Sequence, residues 1–294
     1  VATMELPLVV GVDGSASSLR AVDWAVDEAA RHGLPLRLVH ASRWERYERA
    51  LPSFTTGLPA EDASARNVVA ACARRAELRN PEVKVSEEVL PDDAVSALLR
   101  AAPESFALVV GDRGRGELAA LLLGSVSLAV AARAVCPVVV VRGAEPAVRG
   151  TYGRIVVGVG DTAERTGAVR FAAREAQARG CALTAVRAWR RPAHEHRDHL
   201  LVADDAVQAH DERAATELED ALSDVVREHP SLTVHRRTAD GPARRVLLDA
   251  AAEADLIVVG AVRRHGHFGL QLGTVAHTLL HHADCPVAVV PQRV

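Results

Sequence analysis

The stretch PLVVGVDGSASSLRAVDWAVDEAARHG, Pro7 to Gly33, is answered later in the chain by RIVVGVGDTAERTGAVRFAAREAQARG, Arg154 to Gly180, at a constant shift of 147 residues. A second pair matches more closely. VVGDRGRGELAALLLGSVSLAVAARAVCPVVVV, from Val109, returns as VVGAVRRHGHFGLQLGTVAHTLLHHADCPVAVV, from Val258, shifted by 149. Self-similarity on this scale means one structural unit used twice. The change of offset implies small insertions between the anchors. RGAEPAVRGTYGR (Arg142 to Arg154) holds three glycines and a proline and has neither a strand nor a helix period, so it reads as the joint. The expected organisation is a first domain over 1–143, a linker over 144–153 and a second domain over 154–294.

Within each unit, short aliphatic runs alternate with helical patterns. Leu6–Val12 reads as a buried strand. Leu19, Val22, Val26 and Ala29/Ala30 then recur at helical spacing, with Ser15 or Ser17 as the N-cap and Gly33 past the end. Strands follow at Leu36–Ala41, Val83–Val89, Ala107–Val110 and Pro137–Val141. Helices are expected near Glu61–Arg79, Ala94–Ala101 and Gly124–Ala134. The second unit places strands near 155–159, 182–187, 232–236, 255–259 and 286–290. Strand–helix alternation of this kind gives a parallel sheet with helices on both faces. The fold class is therefore α/β: two tandem doubly wound domains, each a five-stranded parallel sheet in the order 3-2-1-4-5. In that order ligands bind beyond the carboxyl ends of strands 1 and 4, where the winding reverses.

Composition narrows the classes further. Aromatic residues are only 3% against 49% hydrophobic, so Val, Leu, Ile and Ala must build the cores, as in sheets buried on both faces. A net charge of −3 without a long basic tract argues against nucleic-acid binding. No apolar run reaches the roughly 20 residues of a membrane helix, and Val1 to Pro7 lacks a signal-peptide pattern. The only methionine is Met4, and Val1, Ala2 and Thr3 are left out of the fold reasoning. Cys72, Cys136, Cys181 and Cys285 form no C-x-x-C pair and no zinc spacing, which fits reduced thiols in a cytoplasmic protein. Lys84 is the only lysine and lies in an expected strand, so a Walker-type phosphate loop is excluded.

The chemistry gathers at the two strand ends where the winding reverses. After strand 4 comes Gly111-x-x-Gly114, then nine residues, then Gly124-Ser125. Gly111 and Gly114 are expected to take positive φ and to let a ligand approach backbone. Gly124-Ser125-Val126-Ser127 opens the last helix, whose free N–H groups and positive dipole end suit phosphate oxygens, with the Ser125 and Ser127 hydroxyls as further donors. Gly11, Val12 and Asp13 end strand 1, and the Asp13 carboxylate can accept from ribose hydroxyls or a base amine. Taken singly, a G-x-x-G is more often a turn and a helix-opening serine more often a cap. Their joint placement is what points to a nucleotide.

These residues resemble a known family. G-x-x-G-x9-G-[ST], followed by V-S and then C-P-V-x-V-V, is similar to the ATP-binding signature of the universal stress proteins. VVGVDGS (Val9–Ser15) and LVHAS (Leu38–Ser42) resemble that family's first- and second-strand motifs. The likeness covers nearly the whole chain, twice. It implies that Asp13 and the Ala41 backbone contact the nucleoside. It implies that Val110, Gly111 and Gly114 line ribose and phosphates, and that Gly124, Ser125, Val126 and Ser127 hold the phosphates. It also implies a cytoplasmic stress-response regulator that binds ATP with little turnover, a homodimer formed through strand 5, and a protein partner that the sequence does not name. A slow ATPase or adenylyl-transfer enzyme is the first alternative. Asp112, Arg113 and Arg115 can position Mg²⁺ or a γ-phosphate, whereas no G-x-S-x-G elbow and no nearby lysine is present. An interaction module with a structural nucleotide is the second.

The second unit departs from the motif. Gly160 replaces Asp13, with Asp161 one place along, and Arg263 replaces Gly114, while Gly260, Gly273 and Thr274 keep their spacing. An impaired or divergent site is expected there. Gly158-x-Gly160-x-x-Ala163 matches a dinucleotide pattern, but Gly160 only stands in the Asp13 position, which argues against NAD. His194, His196 and His199, with Glu195 and Asp198, form a polar loop lacking a helical i, i+4 pair, and read as solvated rather than metal-binding. Cys136-Pro137 and Cys285-Pro286 read as strand starts.

Overall fold

The computed structural model describes residues 6–42, 60–114, 123–160, 166–190, 202–262 and 272–292. The chain divides into two compact units, Val1–Arg142 and Gly143–Val294.

In the first unit the elements run β1 (Leu8–Gly11), α1 (Ala16–His32), β2 (Leu36–Ala41), α2 (Ala60–Arg79), β3 (Val85–Leu90), α3 (Ala94–Ala101), β4 (Ala107–Gly111), α4 (Ser125–Arg133) and β5 (Val138–Val141). All pairings are parallel, in the order β3-β2-β1-β4-β5, as expected. Leu8, Val9 and Val10 are all fully buried, which is why β1 reads as an unbroken aliphatic run rather than an alternation.

Helix α1 shows how locally the sequence acts. The Ser15 side chain caps it, accepting from the Ser18 N–H, and Gly33 ends it in the left-handed region at φ 67°. Ala21, Val22, Ala25, Val26 and Ala29 form the buried stripe, and burial of Val22 or Val26 stabilises by about 1.5–3 kcal/mol each. An aspartate at Val22 would bury a charge with no partner. On the solvent side α1 is clamped to α2 by two forked pairs, Arg75 to Asp23 (2.6 Å twice) and Arg79 to Asp27 (2.7 and 2.6 Å). Both pairs are partly exposed, so each fixes register more than it adds stability. Helix α3 packs beside α4 on the opposite face.

The second unit holds α5 (Glu145–Val148), β6 (Arg154–Gly158), α6 (Thr166–Arg179), β7 (Ala182–Trp189), α7 (Val202–Glu228), β8 (Val234–Asp240), α8 (Ala243–Ala251), β9 (Leu256–Val262), α9 (Thr274–His282) and β10 (Val287–Gln292). Its parallel order, β8-β7-β6-β9-β10, repeats that of the first.

Two edges shift for one reason. Strands β3 and β8 each begin two residues later than the aliphatic pattern implies, because a turn leaving the preceding helix takes up those residues. Glu82 N–H donates to Asn80 Oδ1 (3.0 Å) in one, and Leu232 N–H to the His229 carbonyl (3.0 Å) in the other. Residues 144–153, read from sequence as a linker, contain α5. They are anchored by Asp255, whose carboxylate accepts from the Tyr152 N–H (2.8 Å) and the Arg154 N–H (3.2 Å).

Candidate nucleotide site

A cavity of about 290 Å³ opens beyond the carboxyl ends of β1, β2 and β4. Gly11, Val12, Asp13, Ala41, Val110, Gly111, Gly114, Gly124, Ser125, Val126 and Ser127 all line it. Val39, Ala94, Ala97 and Leu98 complete one apolar end, and Arg113 and Ser18 stand with the polar groups. Sequence reasoning missed the α3 contribution. A signal existed: Ala94, Ala97 and Leu98 lie at helical spacing, with Asp93 capping the helix. Motif reading favours glycines and polar groups over a plain apolar helix face.

The polar end is the first turn of α4. Gly124 is its N-cap and brings no side-chain cap, unlike Ser15 at α1 and Asp93 at α3. Leu128 is the first residue to make the helical bond, donating to the Gly124 carbonyl (3.0 Å), which leaves the N–H groups of Ser125, Val126 and Ser127 outside the helix ladder. Such donors, at the positive end of the helix dipole, are the kind of group that suits an anion. The loop from β4 is tied across this turn by the Gly124 N–H, which donates to the Asp112 carbonyl (2.8 Å).

Several expected roles change on inspection. Neither Gly111 nor Gly114 has positive φ. A Cβ on Gly111 would lie 2.3 Å from Ser17 Oγ and 2.7 Å from the Ser17 carbonyl carbon, so this glycine admits the first turn of α1 rather than a ligand. Gly11, on the other face of the sheet, would meet Leu98 Cδ1 at 3.0 Å. A Cβ on Gly114 would sit 3.1 Å from Asp13 Oδ2, which places that backbone against the carboxylate. Ser127 does not offer its proton to a ligand, because its hydroxyl donates to the Gly111 carbonyl (2.7 Å). Ser15 is the α1 cap. Ser17 instead donates to Asp112 Oδ1 (2.7 Å) and accepts from the Arg113 N–H (3.1 Å). Asp112 is thereby turned inward and buried, with Arg113 Nε 3.6 Å from its Oδ2. Arg113, not Asp112, faces the cavity; Arg115 lies outside the described residues.

Asp13 is held by its own turn, Oδ1 accepting from the Ser15 N–H at 2.9 Å. Beneath it, His40 Nδ1 donates to the Val12 carbonyl (2.7 Å) and fixes the end of β1.

The second unit keeps the frame and changes the chemistry. Gly273 is an N-cap without a side-chain cap, and Thr274 opens α9. A Cβ on Gly260 would meet Gln292 Nε2 at 2.2 Å, so a side chain fills the notch that Ser17 fills in the first unit. Arg187 stands where the first unit has His40. Its Nη1 donates to the Gly160 carbonyl (2.6 Å) and lies 3.4 Å from that of Val159, while Nη2 pairs with Glu217. Arg187 is buried, and sequence reading passed over it although an arginine in an aliphatic strand marked it. Asp161, Ala163, Arg263 and the loop histidines His194, His196 and His199 lie outside the described residues. No disulfide joins Cys72, Cys136, Cys181 and Cys285; Cys72, Cys136 and Cys285 are buried, and burial raises the Cys72 pKa.

Comparison with known proteins follows the same duplication. A model of the universal stress protein family matches residues 6–142 and again 151–291. A universal stress protein of Mycolicibacterium smegmatis is 30% identical over 306 residues, covering 98% of both chains. One of Mycobacterium tuberculosis is 33% identical over 295 residues, covering 97% of both. The crystal structure of a universal stress protein from Archaeoglobus fulgidus shares the fold, with a TM-score of 0.69 at 18% identity, over 98% of this chain and 99% of that one. The chain belongs to the universal stress protein family, and carries that family's domain twice.

Proposed function

We propose that the first domain binds one adenine nucleotide, ATP, and that the protein acts as a nucleotide-dependent regulator in a cytoplasmic stress response. One observation carries this reading: an apolar slot and an uncapped helix N-terminus share a single cavity at the ends of β1 and β4. The slot between Val39, Ala97 and Leu98 suits a base. Asp13 stands where it can accept from a ribose, and the N–H groups of Ser125, Val126 and Ser127 suit phosphate oxygens. Arg113 supplies a cation for the far phosphate, and Asp13 is the carboxylate on the wall that can meet Mg²⁺ carried by the phosphates. The residues thus fit the group.

In this reading the nucleotide alters the shape or partners of the protein rather than being consumed. A homodimer is part of the same proposal, and sedimentation of the purified chain tests it. Denaturing purified protein and identifying the released ligand by mass spectrometry tests the nucleotide directly. An adenine nucleotide is expected. A different released compound, or no binding of ATP on calorimetric titration, would refute the reading.

A further inference from the structure

Ser17 opens α1 without capping it, since the Ser15 side chain already accepts from the Ser18 N–H. Its hydroxyl crosses to the loop after β4 instead. There its one proton goes to Asp112 Oδ1 (2.7 Å), and its oxygen accepts from the Arg113 N–H (3.1 Å). The same Asp112 takes the Gly124 N–H at its carbonyl (2.8 Å), and its Oδ2 lies 3.6 Å from Arg113 Nε. One buried residue thus joins the opening of α1, the N-cap of α4 and the arginine that lines the cavity. The second copy has Ala261 and Val262 at the positions of Asp112 and Arg113, and so neither this carboxylate nor this cation. Given the reading of the cavity as an adenine-nucleotide site, on which the proposal rests, we infer that Ser17 is a positioning residue for phosphate-chain length. By holding Asp112 and Arg113 in place for the outer phosphates, it makes the first domain select a triphosphate over a monophosphate.

The reason lies in two kinds of donor at the phosphate end. The N–H groups that open α4 are backbone and are fixed with the helix, so a single phosphate gains from them without ordering any side chain. Arg113 is different. Its side chain is 47% exposed and reaches the cavity from a loop, and a long side chain loses conformational freedom when it grips an anion. The guanidinium fork is planar, so an orientation set in advance reduces that loss. Ser17 sets it from both sides, through the Arg113 backbone N–H and through the Asp112 carboxylate. Ser17 is not among the described residues that line the cavity, so it acts on the ligand through Arg113.

The test is calorimetric titration of the ligand-stripped full chain with ATP and, separately, with AMP. The parent, Ser17→Ala, Arg113→Met and the double variant are compared. The readout is the ratio of the two affinities, because a general loosening of the domain lowers both and leaves the ratio unchanged. The parent should bind ATP the more tightly. The ratio should fall about tenfold in Arg113→Met and about fivefold in Ser17→Ala. Once Arg113 is gone, Ser17→Ala should change the ratio no further, since the hydroxyl acts through that side chain. A parent without preference for ATP, a ratio untouched by Ser17→Ala, or an equal Ser17→Ala effect in the Arg113→Met background overturns the inference and leaves the nucleotide site standing. A parent that binds neither ATP nor AMP overturns the reading of the cavity, and the inference with it. Should Ser17→Ala fail to unfold cooperatively, Ser17→Cys decides the question: it keeps the shape, replaces the hydroxyl with a weakly hydrogen-bonding thiol, and should lower the ratio in the same direction.

Discussion

The two copies begin from one backbone plan and part at the glycine that ends β4 in the first and lies two residues short of the end of β9 in the second. Gly111 in the first copy lies against the backbone of Ser17, and Ser17 in turn joins Asp112 and the Arg113 N–H. Gly260 in the second copy lies against the end of the Gln292 side chain. In the first, the glycine welds the helix opening at α1 to the loop that reaches Gly114 and Asp13. In the second, the same glycine touches a side chain that can swing away. A shared motif residue can thus stand against backbone in one copy and, among the described residues, against a side chain in the other. The difference is set by what occupies the space of its absent Cβ.

This contrast supplies the largest expected effect. Gly111→Ala must displace backbone, and should destabilise the first domain by about 2–3 kcal/mol, in the range of overpacked cores. Among the described residues Gly260→Ala asks for a rotamer change at Gln292, and it should cost less than about 1 kcal/mol. Chemical denaturation of each variant measures both, and equal losses would show that the notch is not the distinguishing feature.

Next in size is Gly114→Arg, which gives the first copy the residue of the second. Its Cβ would press on Asp13 Oδ2, and the long side chain would enter the cavity. Nucleotide affinity should fall by about a hundredfold, equivalent to about 2.7 kcal/mol, while the domain stays folded because the change lies in a loop at the cavity mouth. Titration of the folded variant with ATP checks this; undiminished affinity would remove the loop from the phosphate site.

Asp13→Ala should have a smaller effect, roughly tenfold in affinity, since one charge-assisted acceptor is lost while the helix N-terminus and apolar slot remain. The loss should be greater for ATP than for tripolyphosphate, which has no ribose to present. Equal losses for the two ligands would move Asp13 away from the nucleoside.

The architecture was legible because it rests on short-range signals that repeat. Buried aliphatic runs, the Ser15 cap and the Gly33 stop place β1 and α1, and the repeat then places their second copies. Eleven of the residues on the cavity wall were legible because the motif puts glycines and a helix opening at two strand ends. What stayed hidden depends on which atoms meet across the chain. No spacing shows that Ser127 spends its proton on the Gly111 carbonyl, that Asp112 turns inward to Ser17, or that Gln292 fills the notch at Gly260. Arg187 was visible as an oddity, but its bond to the Gly160 carbonyl required coordinates.

That bond alters what repair of the second copy demands. Restoring the motif with Gly160→Asp and Arg263→Gly leaves Arg187 holding the Gly160 carbonyl, so the pair alone should recover only weak binding. Adding Arg187→His, which restores the first copy's residue, should improve it further, the changes acting together because one ligand must satisfy both ends. Titration in a Gly114→Arg background isolates the second site. A triple variant no better than the double would show that Arg187 is not what constrains that strand end.

Two homologous domains that share a fold but not a ligand site should take up one nucleotide per chain, which the stoichiometry of ATP binding reads out. Calorimetric titration of the parent chain, first stripped of any bound ligand, should give about one nucleotide per chain, and that one should vanish in Gly114→Arg. A stoichiometry near two with matched affinities would contradict the account, because Gly160, Gln292 and Arg187 would then have left the second site intact.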